Sequence, residues 1–388
     1  MTARQRTLEL EQFRPGFSAS ELAGLQDTLA HSRLPARTYA MDQDQYGITY
    51  EYMQHALDRW QDGFDWKKRE DEINTVDHYY ANIDDGGSTF KIHFILHESK
   101  DPNAIPLLLL HGWPGSAFEF IEAVKILRES TAPAFHLVVP MEPGYGWSSP
   151  PPLDRGFGTK DVSNILHKLM VGLGFGNGYA IQGGDIGSML ARQMALKFDA
   201  VKCIHVNYLP AVPPKDEALK GQVKPHEQRS LERSDEFQKT GRAYAISHAT
   251  RPGTIGLTVG SSPISLLAWL AEKYRDWTDE TPTVDEILAI CTMWWLRDSF
   301  PSSIYAYHEL LVSGVSAIHN DPANRLEKPF GYSAFEREIS CTPEAWVGIN
   351  ANVQFYRYHD EGGHFPSLEK PAVFAKDMQD CFGKIWTA

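Results

Sequence analysis

Cysteine is scarce in this chain: its 388 residues hold only Cys203, Cys291, Cys341 and Cys381, far apart and with no C-x-x-C pair. This excludes a disulfide framework and a zinc knot, and predicts reduced thiols in a cytoplasmic protein. Long Lys/Arg runs are also missing, and the formal net charge is -13. Nucleic-acid partners are therefore not expected, because gripping a phosphate backbone requires clustered cations. No apolar run is long enough to cross a bilayer, and Met1 to Glu11 lack the apolar centre of a signal peptide; a soluble chain without a membrane span is expected. There is no internal repeat and no low-complexity tract. What is present, 42% hydrophobic residues over this length, suffices for a large core in one main domain with substantial additions.

The texture divides the chain into 1–103, 104–213, 214–318 and 319–388. The first part is polar and rich in aromatics, with helical patterning near Ser20 to His31 and Tyr50 to Gly63. A hairpin follows, turning at Asp84-Asp85-Gly86-Gly87 before the alternating strand Phe90 to Leu96. Asp84 and Asp85 beside two glycines read as turn residues rather than a metal pair. The second part alternates strand and helix, the signature of a mostly parallel α/β sheet, with Leu107 to Leu110 and His136 to Val139 as central strands. The third is charged and helical, including Ser265 to Tyr274 and Val284 to Leu296, the latter opened by a Thr283-x-x-Glu286 capping box. It has the place of a lid. In the last part, Ala345 to Ile349 and Val353 to Tyr358 read as strands that return the chain to the sheet. The glycines of Gly172 to Gly178 precede their strand and miss the G-x-G-x-x-G spacing, so a loop is expected there and no dinucleotide site.

Gly183-Gly184-Asp185-Ile186-Gly187 carries the chemistry. It has the small-x-nucleophile-x-small spacing of an α/β-hydrolase elbow, between the buried strand Tyr179 to Gln182 and an amphipathic helix from Ser188 to Leu196. Small flanking residues are required because the bent backbone leaves no room for Cβ branches. A carboxylate at the tip changes the reaction. Its acyl adduct with an ester substrate would be an anhydride, whereas its attack on an sp³ carbon bearing a leaving group gives an ordinary alkyl ester that water can cleave. Epoxides and alkyl halides are the fitting electrophiles.

The second motif, His111-Gly112-Trp113-Pro114-Gly115, directly follows the Leu107 to Leu110 strand. A loop of this type aims the N–H of Trp113 into the site beside that of Ile186, giving an oxyanion hole. His111 itself reads as a structural hydrogen-bonder. The base is expected near the C-terminus, where Gly362-Gly363-His364-Phe365-Pro366 fits the chain order nucleophile, acid, histidine. An aspartate needs no base for attack, so His364 would act on the water of the second step. His359, Asp360 and Glu361 lie near it in sequence, but no third ligand motif accompanies them, and neither a metal nor a cofactor is expected.

Together, His111-Gly112-Trp113-Pro114, Gly183-Gly184-Asp185-Ile186-Gly187-Ser188 and Gly362-Gly363-His364-Phe365 resemble the microsomal-type epoxide hydrolases, and most of all the soluble fungal members. The resemblance implies an α/β-hydrolase fold with a helical lid and a wrapping N-terminal segment, and a homodimer. It further implies a charge-relay glutamate at Glu338, with Glu336 as rival, and two lid tyrosines holding the epoxide oxygen at Tyr244 and Tyr307, with Tyr305 as alternative to Tyr307. A neutral phenol suits that task as a hydrogen-bond donor and proton source. The substrate would be a small lipophilic epoxide, consumed with water. Two other readings share these residues: a haloalkane dehalogenase, in which Trp113 would supply an indole N–H to halide, and a lipophilic-ligand carrier on an inactive scaffold.

Overall fold

The structure, a computed structural model, describes residues 5–387 except 211, 314–318 and 320. Strand β1 (Glu11–Phe13) precedes three helices, α1 (Ala19–Ala30), α2 (Tyr50–Gln61) and α3 (Trp66–Ile73). α1 begins where Ser18 and Glu21 cap each other's free backbone N–H. The expected hairpin follows as β2 (His78–Asp85) and β3 (Ser88–His97), whose register runs from His78↔Ile95 to Asp85↔Ser88. Gly86 and Gly87 turn it with φ of 55° and 83°, a conformation that matches the twist of the flanking strands.

The apolar runs then form β4 (Ile105–Leu110), α4 (Ile121–Leu127), β5 (Phe135–Pro140), α5 (Thr159–Met170), β6 (Tyr179–Gly183), α6 (Asp185–Lys197) and β7 (Val201–Val206). A helical insertion comes next: α7 (Glu217–Lys220), α8 (Pro225–Glu236), α9 (Ala243–Thr250), α10 (Pro252–Gly260), α11 (Pro263–Asp276), α12 (Val284–Leu296), α13 (Phe300–Ser303) and α14 (Tyr305–Ser313). The chain returns through β8 (Leu326–Phe335), α15 (Glu344–Val347), β9 (Ala351–His359), α16 (Pro366–Glu369) and α17 (Pro371–Ile385). Among the described residues the sheet has nine strands in the order β1-β2-β3-β5-β4-β6-β7-β8-β9, antiparallel up to β5 and parallel beyond it. Helices cover both faces of its parallel part, which is why β4 reads as an unbroken apolar run. Among the described residues, no single helix is long and apolar enough to cross a membrane.

The N-terminal segment is tied to both other parts. Arg59 on α2 grips Asp285 on α12 through Nε and Nη2, at 2.8 and 2.7 Å, and the Trp60 indole donates to Thr292 Oγ1 at 3.1 Å. Thr7 and Leu8 donate to the Gly172 carbonyl at 2.8 and 3.2 Å, and a Cβ on Gly172 would fall 2.4 Å from Leu8 Cγ. Two expectations need correction here. Gly172 to Gly178 is not simply a loop: α5 continues through Val171–Phe175 as a wider helical turn and breaks only at Gly174, with φ 89°. Nor is Ala345 to Ile349 a strand. Pro343 starts the short helix α15, its carbonyl accepting from Trp346 N at 2.8 Å, because so short an apolar run suits either conformation and a proline favours a helix start. The expected lid boundary at 318, and positions 1 and 388, lie outside the described residues.

α6 packs hard against the end of β4, where a Cβ on Gly187 would lie 2.5 Å from the carbonyl oxygens of both Leu110 and His111. Gly24, inside α1, faces open space. Gly187→Ala is therefore expected to cost about 1–3 kcal/mol or more, whereas Gly24→Ala is expected to gain roughly 0.5–1 kcal/mol. Thermal or denaturant unfolding of the two variants checks both signs.

Candidate active site

β6 ends at Gly183 and the chain turns sharply into α6, with Asp185 at the bend. Its φ is 45°, in the left-handed region that few residues other than glycine adopt. Such a conformation costs on the order of 1–3 kcal/mol and persists only where the surroundings enforce it. Here they do: a Cβ on Gly183 would sit 2.2 Å from the Gly187 carbonyl oxygen, so the two turns pack with nothing between them. The bend aims the carboxylate out of the sheet at the first turn of α6, where the helix dipole favours negative charge.

The loop after β4 meets it from the side. The Trp113 N–H donates to Asp185 Oδ1 at 2.9 Å, and a Cβ on Gly112 would lie 2.3 Å from that oxygen, which accounts for glycine there. Ile186, second in α6, has an N–H in the helix's first turn, where no intrahelical acceptor exists. His111 holds the loop. Its Nδ1 donates to the Gly112 carbonyl at 3.1 Å and its Nε2 accepts from Glu142 N at 3.2 Å, while burial pushes its pKa down to about 4.

His364 arrives from the loop after β9. Its own N–H donates to the Trp277 carbonyl at 2.8 Å, and a Cβ on Gly363 would come within 2.5 Å of that carbonyl. The imidazole Nδ1 donates to Glu338 Oε1 at 2.6 Å, and Nε2 stands 3.3 Å from Asp185 Oδ2. Glu338, in the turn after β8, also accepts from Ile339 N at 2.7 Å. Burial opposes a charge on His364, but the Glu338 carboxylate with its hydrogen bond, and the Asp185 carboxylate beside Nε2, outweigh it and raise the imidazole to about 10. The resting site thus holds an imidazolium between two acidic side chains. Glu336, two residues before Glu338, bonds to Arg229 Nε at 3.0 Å and to the Tyr358 hydroxyl. His359 pairs with Asp377 at 2.6 Å rather than joining His364.

From the insertion, Tyr244 on α9 stacks on the Trp113 indole, centroids 5.2 Å apart and planes at 16°, and Tyr307 on α14 meets both rings edge-on at 5.9 Å. Burial first, and the nearby Asp185 charge, raise both phenols, and Tyr244 raises Tyr307 further, so they stay protonated. The Tyr307 hydroxyl has no well-aligned partner among the described residues. Tyr305 points elsewhere: its hydroxyl accepts from Phe157 N and donates to Glu309 Oε1 at 3.4 Å. Its side chain leaves the opposite face of α14.

Asp185, Trp113, Ile186, His364, Glu338, Tyr244 and Tyr307 are therefore brought to one place, and the rivals Glu336 and Tyr305 are not. Three residues that line or brace the site escaped sequence reasoning. Trp277 acts through a backbone carbonyl, which leaves no sequence signal. Glu119 carried one, the capping box Ser116-x-x-Glu119, and so did Asn207, a polar residue just past the end of a central strand, where sites on such sheets form. What the arrangement offers chemically is a fixed carboxylate nucleophile, amide donors for an oxyanion, a histidine–glutamate pair facing the same carboxylate, and two neutral phenols.

Residues 10–120 match the family described as "Epoxide hydrolase N terminus", and residues 105–254 match "alpha/beta hydrolase fold". A putative epoxide hydrolase of Dothistroma septosporum is 33% identical over 97% of this chain and 92% of its own length. Epoxide hydrolase 1 of Sus scrofa is 31% identical over 88% and 81% of the two chains. The solved structure of Aspergillus niger epoxide hydrolase superposes with a TM-score of 0.91 at 36% identity, covering 98% of each chain. These likenesses agree with the aspartate elbow, the loop at Trp113 and the two phenols beside it: the chain belongs to the epoxide hydrolase family, built on the α/β-hydrolase fold.

Proposed function

We propose that the protein converts lipophilic epoxides to vicinal diols through a covalent ester on Asp185. The observation that carries this reading is the contact of one carboxylate with both the Trp113 amide, at 2.9 Å, and the His364 imidazole, at 3.3 Å. In the first step Asp185 Oδ2 bonds to an oxirane carbon as the ring C–O bond breaks. The freed oxygen takes a proton from Tyr244 or Tyr307, whose raised pKa values keep that proton in place until alkoxide develops. In the second step water attacks the Asp185 carbonyl carbon and gives a proton to His364 Nε2. The Trp113 and Ile186 N–H groups hold the oxyanion, an effect of about 3 kcal/mol per donor. Collapse breaks the ester bond, the imidazolium proton passes to the departing diol oxygen, and re-ionisation of Asp185 returns a proton to the tyrosinate.

The charge arrangement times the base. While Asp185 is an anion, it helps to hold His364 protonated, and an imidazolium cannot accept a proton. Alkylation converts Asp185 to a neutral ester and removes that contribution, so the imidazole pKa falls, its proton leaves to solvent and the base forms once there is an ester to hydrolyse; a solvent proton restores the imidazolium when Asp185 re-ionises. Glu338 keeps the ring oriented and stabilises the imidazolium as it re-forms.

One observation bears on the halide reading: the Trp113 indole Nε1 is buried without a partner among the described residues. Two protonated phenols beside the carboxylate suit an oxygen leaving group better. Bromide or chloride release from haloalkanes at rates matching epoxide opening would reverse that preference. A carrier would bind an epoxide tightly and form no diol. The buried, unpaired cysteines accord with a reducing, cytoplasmic setting, and a homodimer rests on the family resemblance alone.

Asp185→Ala is expected to abolish turnover. His364→Gln is expected to slow ester hydrolysis about 10²–10⁴-fold while leaving alkylation intact, so that intact-mass analysis finds the protein heavier by one epoxide; an unmodified variant contradicts the covalent route. Since His364 must be neutral to act, the single-turnover hydrolysis rate is expected to rise with pH and level off at an apparent pKa below the resting value of about 10. A rate that falls as pH rises through neutrality contradicts this assignment.

A further inference from the structure

Against the Asp185 carboxylate lies a small cavity of about 10 Å³, lined among others by Gly112, Glu119, Gly184, Asp185, Asn207 and His364 and by neither of the two tyrosines. That volume corresponds to roughly one water, and a water is held in such a space when two to four polar groups meet it. The polar groups are there. Asn207 is buried, with Oδ1 accepting from Gln182 Nε2 at 2.8 Å, which fixes the amide and leaves Nδ2 without a partner among the described residues. His364 Nε2 likewise lacks an aligned hydrogen bond. The Glu119 carboxyl accepts from Ser116 N at 3.2 Å and Ser367 Oγ at 3.4 Å. Burial raises its pKa to about 8, so at neutral pH it has an O–H to give as well as an oxygen to accept.

We propose that this cavity is the seat of the hydrolytic water, with Asn207 Nδ2 and the Glu119 carboxyl holding its oxygen between His364 Nε2 and the Asp185 carbonyl carbon. The proposal rests on the two-step reading above and adds two residues to it. An unpartnered amide donor costs free energy in a buried site, and a water accepting its hydrogen bond recovers that cost. A water there, hydrogen-bonded to the imidazole, attacks with the growing oxyanion on Asp185 Oδ1, the oxygen that the Trp113 N–H holds. One O–H proton goes to His364 Nε2, the oxygen bonds to the Asp185 carbon, and the second O–H stays on the regenerated acid until it ionises. Gly184 belongs to this seat because a Cβ there would lie 3.0 Å from both amide atoms of Asn207.

Rapid-quench mass analysis with styrene oxide, on the full-length enzyme, separates the steps. Asn207→Leu is expected to alkylate at the wild-type rate and to hydrolyse its ester about 10- to 100-fold more slowly, so the ester accumulates and KM falls together with kcat. A merely structural role would slow both steps and leave no ester. If the Asn207 variant does not fold, Glu119 gives the same test: Glu119→Leu is expected to accumulate ester, and Glu119→Gln, which keeps a donor and an acceptor, to hydrolyse within about threefold of wild type. Wild-type hydrolysis rates in Asn207→Leu, or in Glu119→Leu, overturn the proposal. If even His364→Gln forms no ester, the two-step reading fails instead, which is a different outcome.

Discussion

A single carboxylate held at positive φ governs this molecule. Asp185 keeps its strained bend because Gly183 and Gly187 let β6, α6 and the end of β4 pack with backbone against backbone. Any relaxation of that packing would turn the side chain away from Trp113 and His364 together. The strain is offset by what the bend places around the charge: the first turn of a helix, one amide donor at 2.9 Å and an imidazolium at 3.3 Å. The Asp185 carboxylate is in this way both a strained group of the site and one that raises the pKa of His364, Tyr244 and Tyr307 around it.

The insertion serves the same group from above. It reaches the core through the Trp277 carbonyl on the His364 N–H at 2.8 Å, the Tyr274 hydroxyl on the Pro114 carbonyl at 3.0 Å, and the Trp113–Tyr244 stack. Each contact ties the helices to a loop that carries a site group: the histidine loop in the first case and the oxyanion loop in the other two. The N-terminal segment then braces the insertion from outside, through the bidentate Arg59–Asp285 pair and the Trp60–Thr292 hydrogen bond. Three stretches of sequence thereby hold one cleft, and the tyrosines' distance from Asp185 depends on all of them.

Much of this was legible in the chain because the demands are local. An elbow needs small residues at fixed spacing between a strand and a helix, and Gly183 and Gly187 provide them; the loop at Trp113 is recognisable from its glycines and from the apolar strand before it. The mostly parallel sheet follows from the alternation of strand and helix over 104–213, and the α/β-hydrolase fold from the elbow and the family resemblance. Where a choice depended on the direction of a side chain, sequence was mute. Glu336 and Glu338 sit two apart past the end of β8, and only the turn there sends one to Arg229 and the other to His364. Tyr305 and Tyr307 sit two apart on α14, on different faces of the helix. Ala345 to Ile349 was misread because a short apolar run lacks a period, and Trp277 was missed because its carbonyl matters only once the insertion has docked.

The most direct measurement is a single turnover with enzyme in excess in heavy-oxygen water, followed by mass analysis of the peptide containing Asp185 and of the diol. Attack by the Asp185 carboxylate, with water cleaving the ester at its carbonyl, requires the label in Asp185 and none in the first diol released. Label in the diol with Asp185 unlabelled would mean that water opens the epoxide directly, and would contradict the covalent route on which the assigned roles depend.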